Sequence, residues 1–360
     1  MKGVLLHGGH GTRLRPLTHT GPKQLIKVAG KPVSQWCLED LRDAGVRDVA
    51  VVLGELSPER VVEYYGDGGW LGLRLTYVYQ GYPYGIAHAV YVAKEYVGDD
   101  AFVVYLGDNV LVGGIREYVK RFEKSDADAM VLLAWVRDPR MFGVAEFDGR
   151  GRLRRLVEKP KEPPSNYALV GVYFFRPPHV FHAIESLKPS WRGELEITDT
   201  IQQLIEWGLR VDYVIVKGWW KDTGTPDDIL EANRLLLDHK YRDATIKGKV
   251  ENGARVEGRV YVDEGAVIKT GSIVQGPAYI GKNTVIGPNT YIGPYSSIGE
   301  NCKLLNVEIE NSVVMDNVVL ENIRERIADS LIGSNVRIKR GNKKSKAIRF
   351  IVGEHTVVEW

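Results

Sequence analysis

The sequence predicts an α/β protein in which a Rossmann-like, mostly parallel sheet is followed by a left-handed parallel β-helix. Two different hydrophobic periods predict this fold. Up to about residue 240, short apolar runs alternate with amphipathic stretches, which is typical of βαβ units around a parallel sheet. Beyond that point an apolar residue recurs at every sixth position, which is typical of a hexapeptide-repeat β-helix. A chain of 360 residues is long enough to fold as both parts.

Seven apolar runs are the candidate strands of the first part, and amphipathic segments between them predict helices. The runs are 3–6, 49–53, 75–79, 102–106, 130–136, 170–175 and 213–216. A last helix is expected from Pro226, because proline and acidic residues there precede apolar residues at helical spacing. We therefore place the domain boundary near Asp238, which gives domains of 1–238 and 239–360.

The sixfold period of the second part runs without a slip over a series of aliphatic positions. These are Val250, Val256, Val262, Ile268, Val274, Ile280, Ile286, Ile292, Ile298 and Leu304. Three hexapeptides complete one triangular coil, so the series predicts roughly three coils with the aliphatic residues pointing inward. After Leu304 the register drifts, and we expect less regular coils or a C-terminal cap that includes 349–360. The basic run 340–346 indicates a solvated loop.

The composition excludes several classes of protein. The 48 basic and 46 acidic residues alternate along the chain, so we expect no nucleic-acid partner. The apolar start of the chain is too short for a signal peptide or a membrane span, so we expect a cytoplasmic protein without a membrane partner. Cys37 and Cys302 lie far apart without metal-ligand spacing, which suits a reducing compartment.

A glycine-rich turn follows the first predicted strand and carries the clearest chemical signal. It reads HGGHGTRLRP over 7–16, and Lys23 follows Arg13 by ten residues. A Walker A loop would need a Gly-Lys-Ser/Thr sequence that is missing here, and a dinucleotide fingerprint would need a glycine in place of Leu14. Bare backbone N–H groups followed by cations instead suit a triphosphate.

Two aspartates extend this candidate site. Asp108 comes just after the apolar run 102–106, so it should share the carboxyl edge of the sheet with the glycine-rich turn. Asp222 follows the Trp219–Trp220 pair at the end of another apolar segment.

The motif GGHGTRLRPLT, with PKQL downstream, resembles the opening motif of the sugar-phosphate nucleotidylyltransferases. Further similar blocks follow in order at 80–90, 105–109, 142–147, 157–175, 190–199 and 219–237. Together they are most similar to the long form of glucose-1-phosphate thymidylyltransferases, which carries a C-terminal left-handed β-helix. The departures are His7 in place of alanine, His10 in place of a small or basic residue, and Phe142 in place of tyrosine.

The resemblance implies an activity and a role for each matching residue. The activity joins dTTP to glucose 1-phosphate, giving dTDP-glucose and pyrophosphate. Arg13 would face the β- and γ-phosphates, Lys23 the α-phosphate, and Asp108 with Asp222 would bind one Mg²⁺. The other implied substrate contacts are Lys159 and Arg192 to the sugar phosphate, Glu158 to sugar hydroxyls, Tyr173 and Gly143 along the same pocket, Trp220 against sugar or base, Gln80 and Gly85 at the pyrimidine, and Gly8, Gly9, Gly11, Thr12 and Asn109 around the nucleotide.

These roles agree with the chemistry of the reaction. A phosphate monoester is already ionised, since its second pKa is about 6, so the attacking oxygen needs no general base. The barrier arises because two polyanions must approach in line, and cations with a metal lower it. We therefore expect positioning and charge neutralisation to supply most of the catalysis.

Other interpretations of the sequence remain open. UTP could replace dTTP, because uridylyltransferases share the loop and both carboxylates. An acetyltransferase would need a histidine on the solenoid, and none lies between His239 and His355. A non-catalytic sensor of nucleotide sugars would not need the cations and carboxylates to be intact. His179 and His182 have metal-pair spacing but no evident third ligand. The short solenoid also predicts a homo-oligomer, because its ends need cover.

Overall fold

The computed structural model describes residues 1–340 and 352–359, so most of the basic run 340–346 and part of the expected cap lie outside the described residues. Contacts divide the chain into two compact units. The first comprises Met1–His10, Thr20–Gln24 and Ser34–Asp222, and the second comprises Gly11–His19, Leu25–Val33 and Thr223–Trp360. The boundary near Asp238 stays a prediction. No helix in the described part of the chain is long and apolar enough to span a bilayer.

All seven predicted strands are present, with ends within a few residues of the apolar runs. The strands up to residue 222 are β1 (Lys2–His7), β2 (Lys27–Val28), β3 (Lys31–Pro32), β4 (Asp48–Gly54), β5 (Arg74–Gly81), β6 (Phe102–Leu106), β7 (Asn109–Leu111), β8 (Ala129–Trp135), β9 (Gly143–Phe147), β10 (Leu153–Glu158), β11 (Tyr167–Phe175), β12 (Val211–Ile215) and β13 (Trp220–Asp222).

Helices occupy most of the intervals between these strands. They are α1 (Val33–Asp43), α2 (Pro58–Tyr65), α3 (Ile86–Tyr91), α4 (Lys94–Val97), α5 (Arg116–Glu123), α6 (His179–Ser186), α7 (Ile197–Glu206) and α8 (Pro226–Lys240). The predicted start of the last helix at Pro226 is confirmed. Thr225 accepts from the backbone N–H of Asp228, whose carboxylate accepts from the N–H of Thr225 in return, so a capping box fixes this end.

The first unit is built on one nine-stranded sheet, counted over the described residues. Its main order is β10-β9-β11-β6-β1-β4-β5, with β8 beside β11 and β12 beside β8. Strands β6, β1, β4 and β5 are parallel, whereas β11 runs antiparallel to β6, so the sheet is mixed. Strand β1 is buried along Gly3–His7 because helices cover both faces of a parallel centre.

The second unit contains α8, the β2–β3 hairpin and a stack of short strands. These are β14 (Thr245–Ile246), β15 (Lys249–Val250), β16 (Arg255–Glu257), β17 (Val260–Val262), β18 (Val267–Ile268), β19 (Ile273–Gln275), β20 (Ala278–Ile280), β21 (Val285–Ile286), β22 (Tyr291–Ile292), β23 (Ser296–Ile298), β24 (Lys303–Leu305), β25 (Glu308–Glu310), β26 (Val313–Val314), β27 (Val319–Glu321), β28 (Ile327–Ala328), β29 (Leu331–Ile332) and β30 (Arg337–Lys339).

These strands form three parallel sheets, and each sheet takes every third strand. The left-handed β-helix predicted from the hexapeptides is therefore confirmed. The inward aliphatic residues form one core. The members of the sixfold series that are fully buried in it include Ile280, Ile286, Ile292, Ile298 and Leu304. Val250 differs from the prediction, since 37% of it is exposed. It lies in the first coil, where no preceding coil covers it.

The stacking continues well past Leu304, so this stretch contains the less regular coils that were one of the two expectations for it. Paired residues are eighteen positions apart at Ile280 and Ile298, but only sixteen apart at Leu304 and Leu320. The spacing returns to eighteen between Leu320 and Ile338. One short coil thus explains the drift of the sequence register, because its corners are tighter while its strands remain paired.

Asparagine occupies many corners of the coils in the left-handed backbone region. The set includes Asn283, Asn289, Asn301, Asn306, Asn311, Asn317, Asn322 and Asn335, all with φ between 42° and 65°. Asparagine tolerates this region better than most residues, because its short polar side chain bonds locally. Some corners also bond to their neighbours, as Asn283 Nδ2 donates to Asn301 Oδ1 at 3.3 Å.

Candidate active site

The candidate site of the first unit begins where the parallel strands β1 and β6 end. Leu6 pairs with Leu106, and the N–H of Gly107 donates to the carbonyl of Leu6 at 2.9 Å. Gly8 and Asp108 each follow these strand ends directly. The structure therefore brings the glycine-rich turn and the first aspartate to one edge of the sheet, as the sequence predicts.

Asp108 is nearly buried and forms a salt bridge with Lys23. Its other carboxylate oxygen accepts from Asn109 Nδ2 at 2.9 Å. Burial raises the pKa of Asp108, but the Lys23 ammonium and the hydrogen bonds from Lys23 and Asn109 outweigh burial and leave the pKa below its ordinary value. Asp108 is therefore an anion held beside a cation.

Asp222 is brought to the same place by the short antiparallel pair β7–β13. Asp222 lies opposite Asn109 in this pair, one residue from Asp108. Trp220 precedes it on β13, and its indole Nε1 donates to Asn109 Oδ1 at 2.6 Å, while its ring meets Phe142 edge-on at 5.3 Å. The ligand atoms that Asp108 and Asp222 offer are carboxylate oxygens, which Mg²⁺ prefers. These two residues therefore fit that ion.

Gln80 connects the glycine-rich turn to the segment that starts α3. A β-carbon at Gly8 would lie only 2.9 Å from Gln80 Oε1, and Gln80 Nε2 donates to the carbonyl of Gly85 at 3.1 Å. Gly85 has φ 109° and ψ 169°, a conformation that is essentially restricted to glycine. A β-carbon there would overlap the carbonyl of Leu195, whose N–H donates to Tyr84.

Glu158, Gly143 and Tyr173 lie together in a second part of the site. Glu158 pairs with Gly143 across β10 and β9, and Thr198 Oγ1 donates to the Glu158 carboxylate at 3.2 Å. Burial raises the pKa of Glu158, and the Glu196 carboxylate raises it further. Lys159 and Arg192 lower this pKa but do not cancel the increase. Burial also raises the pKa of Tyr173, and the carboxylates Glu158, Asp108 and Asp222 add to it. Tyr173 thus lies within electrostatic reach of both parts of the site.

Arg192 and Lys159 border Glu158. The Arg192 guanidinium donates to both oxygens of Glu194 at 2.8 and 2.9 Å and lies 3.5 Å from Glu158 and 3.4 Å from Glu196. Lys159 Nζ lies 3.8 Å from Glu158, and its backbone has φ 42°, with its N–H donating to Phe142. Both cations are partly exposed, so a phosphate could approach them by competing with carboxylates.

Arg13 lies in the second unit, on a short 3₁₀ turn at Thr12–Leu14. Gly11 precedes the turn in the left-handed region, with φ 59°, and its carbonyl accepts from Thr18 Oγ1 at 2.8 Å. Leu14 is buried whereas Thr12 and Arg13 are exposed. The turn is therefore anchored by its leucine and presents the Arg13 side chain outward. Gly9, in the first unit, has φ 91° and open space around it.

His7, one of the departures noted in the sequence, is buried at the end of β1. Neither ring nitrogen bonds to any residue within 1–340 or 352–359. Burial lowers the pKa of His7 to about 3, and the Asp108 carboxylate offsets only part of this effect. The ring is therefore neutral at physiological pH. It packs edge-on against Tyr65 at 6.2 Å, like the apolar residue it replaces.

Sequence reasoning missed several residues that hold the site together. Gln24 Nε2 donates to the carbonyl of Gly8 at 2.8 Å, and His88 Nδ1 lies 3.3 Å from Gln80 Nε2. Thr198 and Glu196 hold Glu158 and Arg192. Gln24 and Thr198 stand within the PKQL and ELEITD motifs, so their position beside Lys23 and Arg192 was a usable signal. His88 offered none.

A family model described as Nucleotidyl transferase matches residues 2–239, which carry most of the residues above. The chain belongs to the nucleotidyl transferase family. A second model, described as GMPPB C-terminal domain, matches residues 274–359 within the β-helix unit. This chain is thus a sugar-phosphate nucleotidyltransferase. The resemblance to that family noted in the sequence is confirmed.

Relatives share both parts of this nucleotidyltransferase. The chain is 51% identical to the low-salt glycan biosynthesis nucleotidyltransferase Agl11 of Haloferax volcanii, over 99% of each chain. It is 46% identical to a glucose-1-phosphate thymidylyltransferase of Streptomyces antibioticus, over 100% of this chain and 99% of the other. A solved structure of a putative glucose-1-phosphate thymidylyltransferase from Bacillus anthracis is 40% identical and matches with a TM-score of 0.61, covering 65% of this chain and 94% of that one.

Proposed function

We propose that this nucleotidyltransferase transfers a thymidylyl group from dTTP to glucose 1-phosphate, giving dTDP-glucose and pyrophosphate. The observation that carries the proposal is the cluster of Lys23, Asp108 and Asp222 at one edge of the sheet, in a chain 46% identical to a glucose-1-phosphate thymidylyltransferase over its full length. The cluster supports transfer of a charged phosphoryl group, and the relative's name supports the choice of substrates.

In the proposed reaction a sugar-phosphate oxygen attacks the α-phosphorus of dTTP. A new P–O bond forms as the bond to pyrophosphate breaks, and the electron pair leaves with pyrophosphate. Lys23 would turn from Asp108 to the α-phosphate, and exposed Arg13 would reach the β- and γ-phosphates. Lys159 and Arg192 would hold the sugar phosphate, while Glu158 would accept from sugar hydroxyls. No residue needs to remove a proton from the nucleophile.

Asp108 and Asp222 would hold Mg²⁺, which would neutralise charge on the phosphates when bound. Asp222 lies on β13 opposite Asn109, the residue that follows Asp108, and oxygen ligands match the preference of this ion. Lys23 already lies on Asp108. Its ammonium would leave Asp108 for the phosphate if a metal took that carboxylate.

UTP is the second candidate for the nucleotide. The relative that is 51% identical over the whole chain is named only as a nucleotidyltransferase, so its name favours no base. The test is to measure pyrophosphate release with dTTP, UTP, ATP and GTP against glucose 1-phosphate. We expect the highest kcat/KM with dTTP. A kcat/KM for UTP above that for dTTP would contradict the thymidylyl assignment, and no turnover with any triphosphate would contradict the reaction itself.

Removing the metal tests the carboxylate pair. Activity should be lost in excess chelator and return with Mg²⁺. Asp108→Asn and Asp222→Asn should each lower kcat/KM by about 100-fold or more, because each removes a charge aimed at the reacting phosphates. Asp126→Asn is the matched control, since that carboxylate belongs to a side chain that is 90% exposed. Full activity in chelator, or near-normal kcat/KM in either variant, would contradict the metal assignment.

A further inference from the structure

We propose that His19, Glu354 and His355 form a binding site for a divalent transition-metal ion of the zinc type. All three residues are exposed and belong to the second unit. Their candidate ligand atoms, two imidazole nitrogens and a carboxylate oxygen, lie within 4.8 Å of one another. This site is separate from the nucleotidyl-transfer residues, and none of its members has a part in the proposed reaction.

The three side chains are held together by contacts of their own. The His19 and His355 rings are stacked with centroids 5.6 Å apart and planes inclined by 29°. His19 Nε2 also lies 3.3 Å from the carbonyl oxygen of Glu354. The partners are 335 residues apart in the chain, so local sequence does not explain the grouping. His355 adopts φ 62°, which turns the backbone at this point of the tail.

Two imidazoles and one carboxylate match the preferences of zinc. Zn–N and Zn–O bonds are about 2.0–2.2 Å long, so tetrahedral ligands lie about 3.4 Å from one another. The candidate ligand atoms lie within 4.8 Å of one another, so small rotations of these exposed side chains can reach that spacing. Imidazole also suits Ni²⁺ and Cu²⁺ but is a poor ligand for Mg²⁺. Three protein ligands leave the fourth position to water.

A bound ion would tie the C-terminal tail, residues 352–359, to the segment that carries Arg13. His19 ends the 3₁₀ turn Leu17–His19, which is in contact with the turn Thr12–Leu14. A metal between His19 and His355 closes a very long chain loop. An ion that binds only when these side chains are together favours that arrangement by mass action, so zinc should stabilise the tail on this segment.

The test is zinc titration by calorimetry on the untagged, full-length protein, in excess Mg²⁺ so that the Asp108 and Asp222 carboxylates do not contribute. We expect one Zn²⁺ per chain. His19→Ala and His355→Ala should each weaken binding by about 10-fold or more. His239→Ala is the matched control, because His239 is an exposed histidine of the same unit whose Nδ1 lies 2.8 Å from the carbonyl oxygen of Leu235, one helical turn away.

Limited proteolysis followed by mass spectrometry gives a second readout. Zinc should slow cleavage within the tail of the wild-type chain and should not slow it in His19→Ala. Zinc affinity that is unchanged in both histidine variants, or lowered equally in His239→Ala, would overturn the site. Zinc that binds through His19 without protecting the tail would overturn the tether.

Discussion

Gly85 shows why one position in the site must be a residue without a side chain. The sequence predicts that its bare backbone lets a nucleotide base approach. The structure adds a second reason, since the backbone of Leu195 lies where a β-carbon would be. That contact positions α3, where Ala87 N–H donates to the Leu195 carbonyl at 3.1 Å. The glycine therefore lets the start of α3 contact the loop that leads from α6 into α7.

We expect Gly85→Ala to destabilise the protein by about 2 kcal/mol or more and to raise KM for the nucleotide, because the backbone must change conformation and Leu195 must move. Urea unfolding and steady-state kinetics measure both effects. Gly81→Ala is the control, since Gly81 has φ 70° but open space around its α-carbon. It should show only the cost of the left-handed backbone, about 1 kcal/mol. Equal losses in the two variants would contradict the role of Leu195.

Single residues also show which parts of the site are visible in sequence. Asp108 was predictable because a strand end fixes its position, and position at a sheet edge follows from topology. The glutamates around Arg192 and the burial of His7 were not, because they depend on which distant segments meet in three dimensions. A motif predicts the residue that acts, whereas its partners come from tertiary packing.

At the scale of elements, the β2–β3 hairpin is fixed to the solenoid by charge. Lys27 Nζ lies 2.8 Å from Asp316 and 3.4 Å from Glu300, and only 13% of its side chain is exposed. Next to it, a β-carbon at Gly30 would overlap the ring of Tyr279. The Tyr241 hydroxyl donates to the carbonyl of Ala29 at 2.8 Å. The hairpin is therefore a structural part of the second unit.

Lys27→Met should lower the free energy of unfolding by about 1–3 kcal/mol, because it leaves two carboxylates without this cation in a partly buried place. Lys303→Met is the control, since Lys303 bonds Glu321 at 2.7 Å but is half exposed. An exposed pair contributes about 0–1 kcal/mol. Urea denaturation of both variants decides the matter. A loss in Lys303→Met as large as that in Lys27→Met would show that burial of the hairpin lysine is unimportant.

Elements differ in how clearly sequence reveals them. The buried strands were found because a continuous apolar run has few other interpretations. The hairpin of β9 and β10 was missed, since β10 is rich in exposed arginine and resembles a loop. Strands β7 and β13 have three residues each, too few for any period. The coils after Leu304 could not be told from a cap in the sequence, because a shortened coil breaks the sixfold spacing without breaking the stack.

The whole molecule raises the question of what the solenoid does. It shows no histidine for acyl transfer between His239 and His355 in the sequence, so a structural role is the simpler interpretation. Ile246 and Val250 in the first coils are 45% and 37% exposed, which leaves an aliphatic surface at that end of the stack. We propose that this surface packs against another copy of the chain, in keeping with the homo-oligomer that the sequence predicts.

A chain that ends at Asp238 should melt at a temperature lower by about 5 °C or more and should change its number of subunits. The cut removes Tyr279 and the acidic partners of Lys27, which would uncover the fully buried Val28 and Ala29. Differential scanning fluorimetry and light scattering measure the two effects. A truncated chain with unchanged stability and stoichiometry would refute the structural role.

The unequal coils of the β-helix have a consequence for engineering. The coil between Leu304 and Leu320 is shorter than its neighbours, yet its strands keep their partners above and below. Corner length can therefore vary while the stack preserves its spacing, which is about 4.8 Å between adjacent strands. Spectroscopic labels placed at equivalent corners of successive coils would sit at multiples of that distance. The solenoid could thus serve as a molecular ruler, whose unit of length is the distance between hydrogen-bonded strands of successive coils.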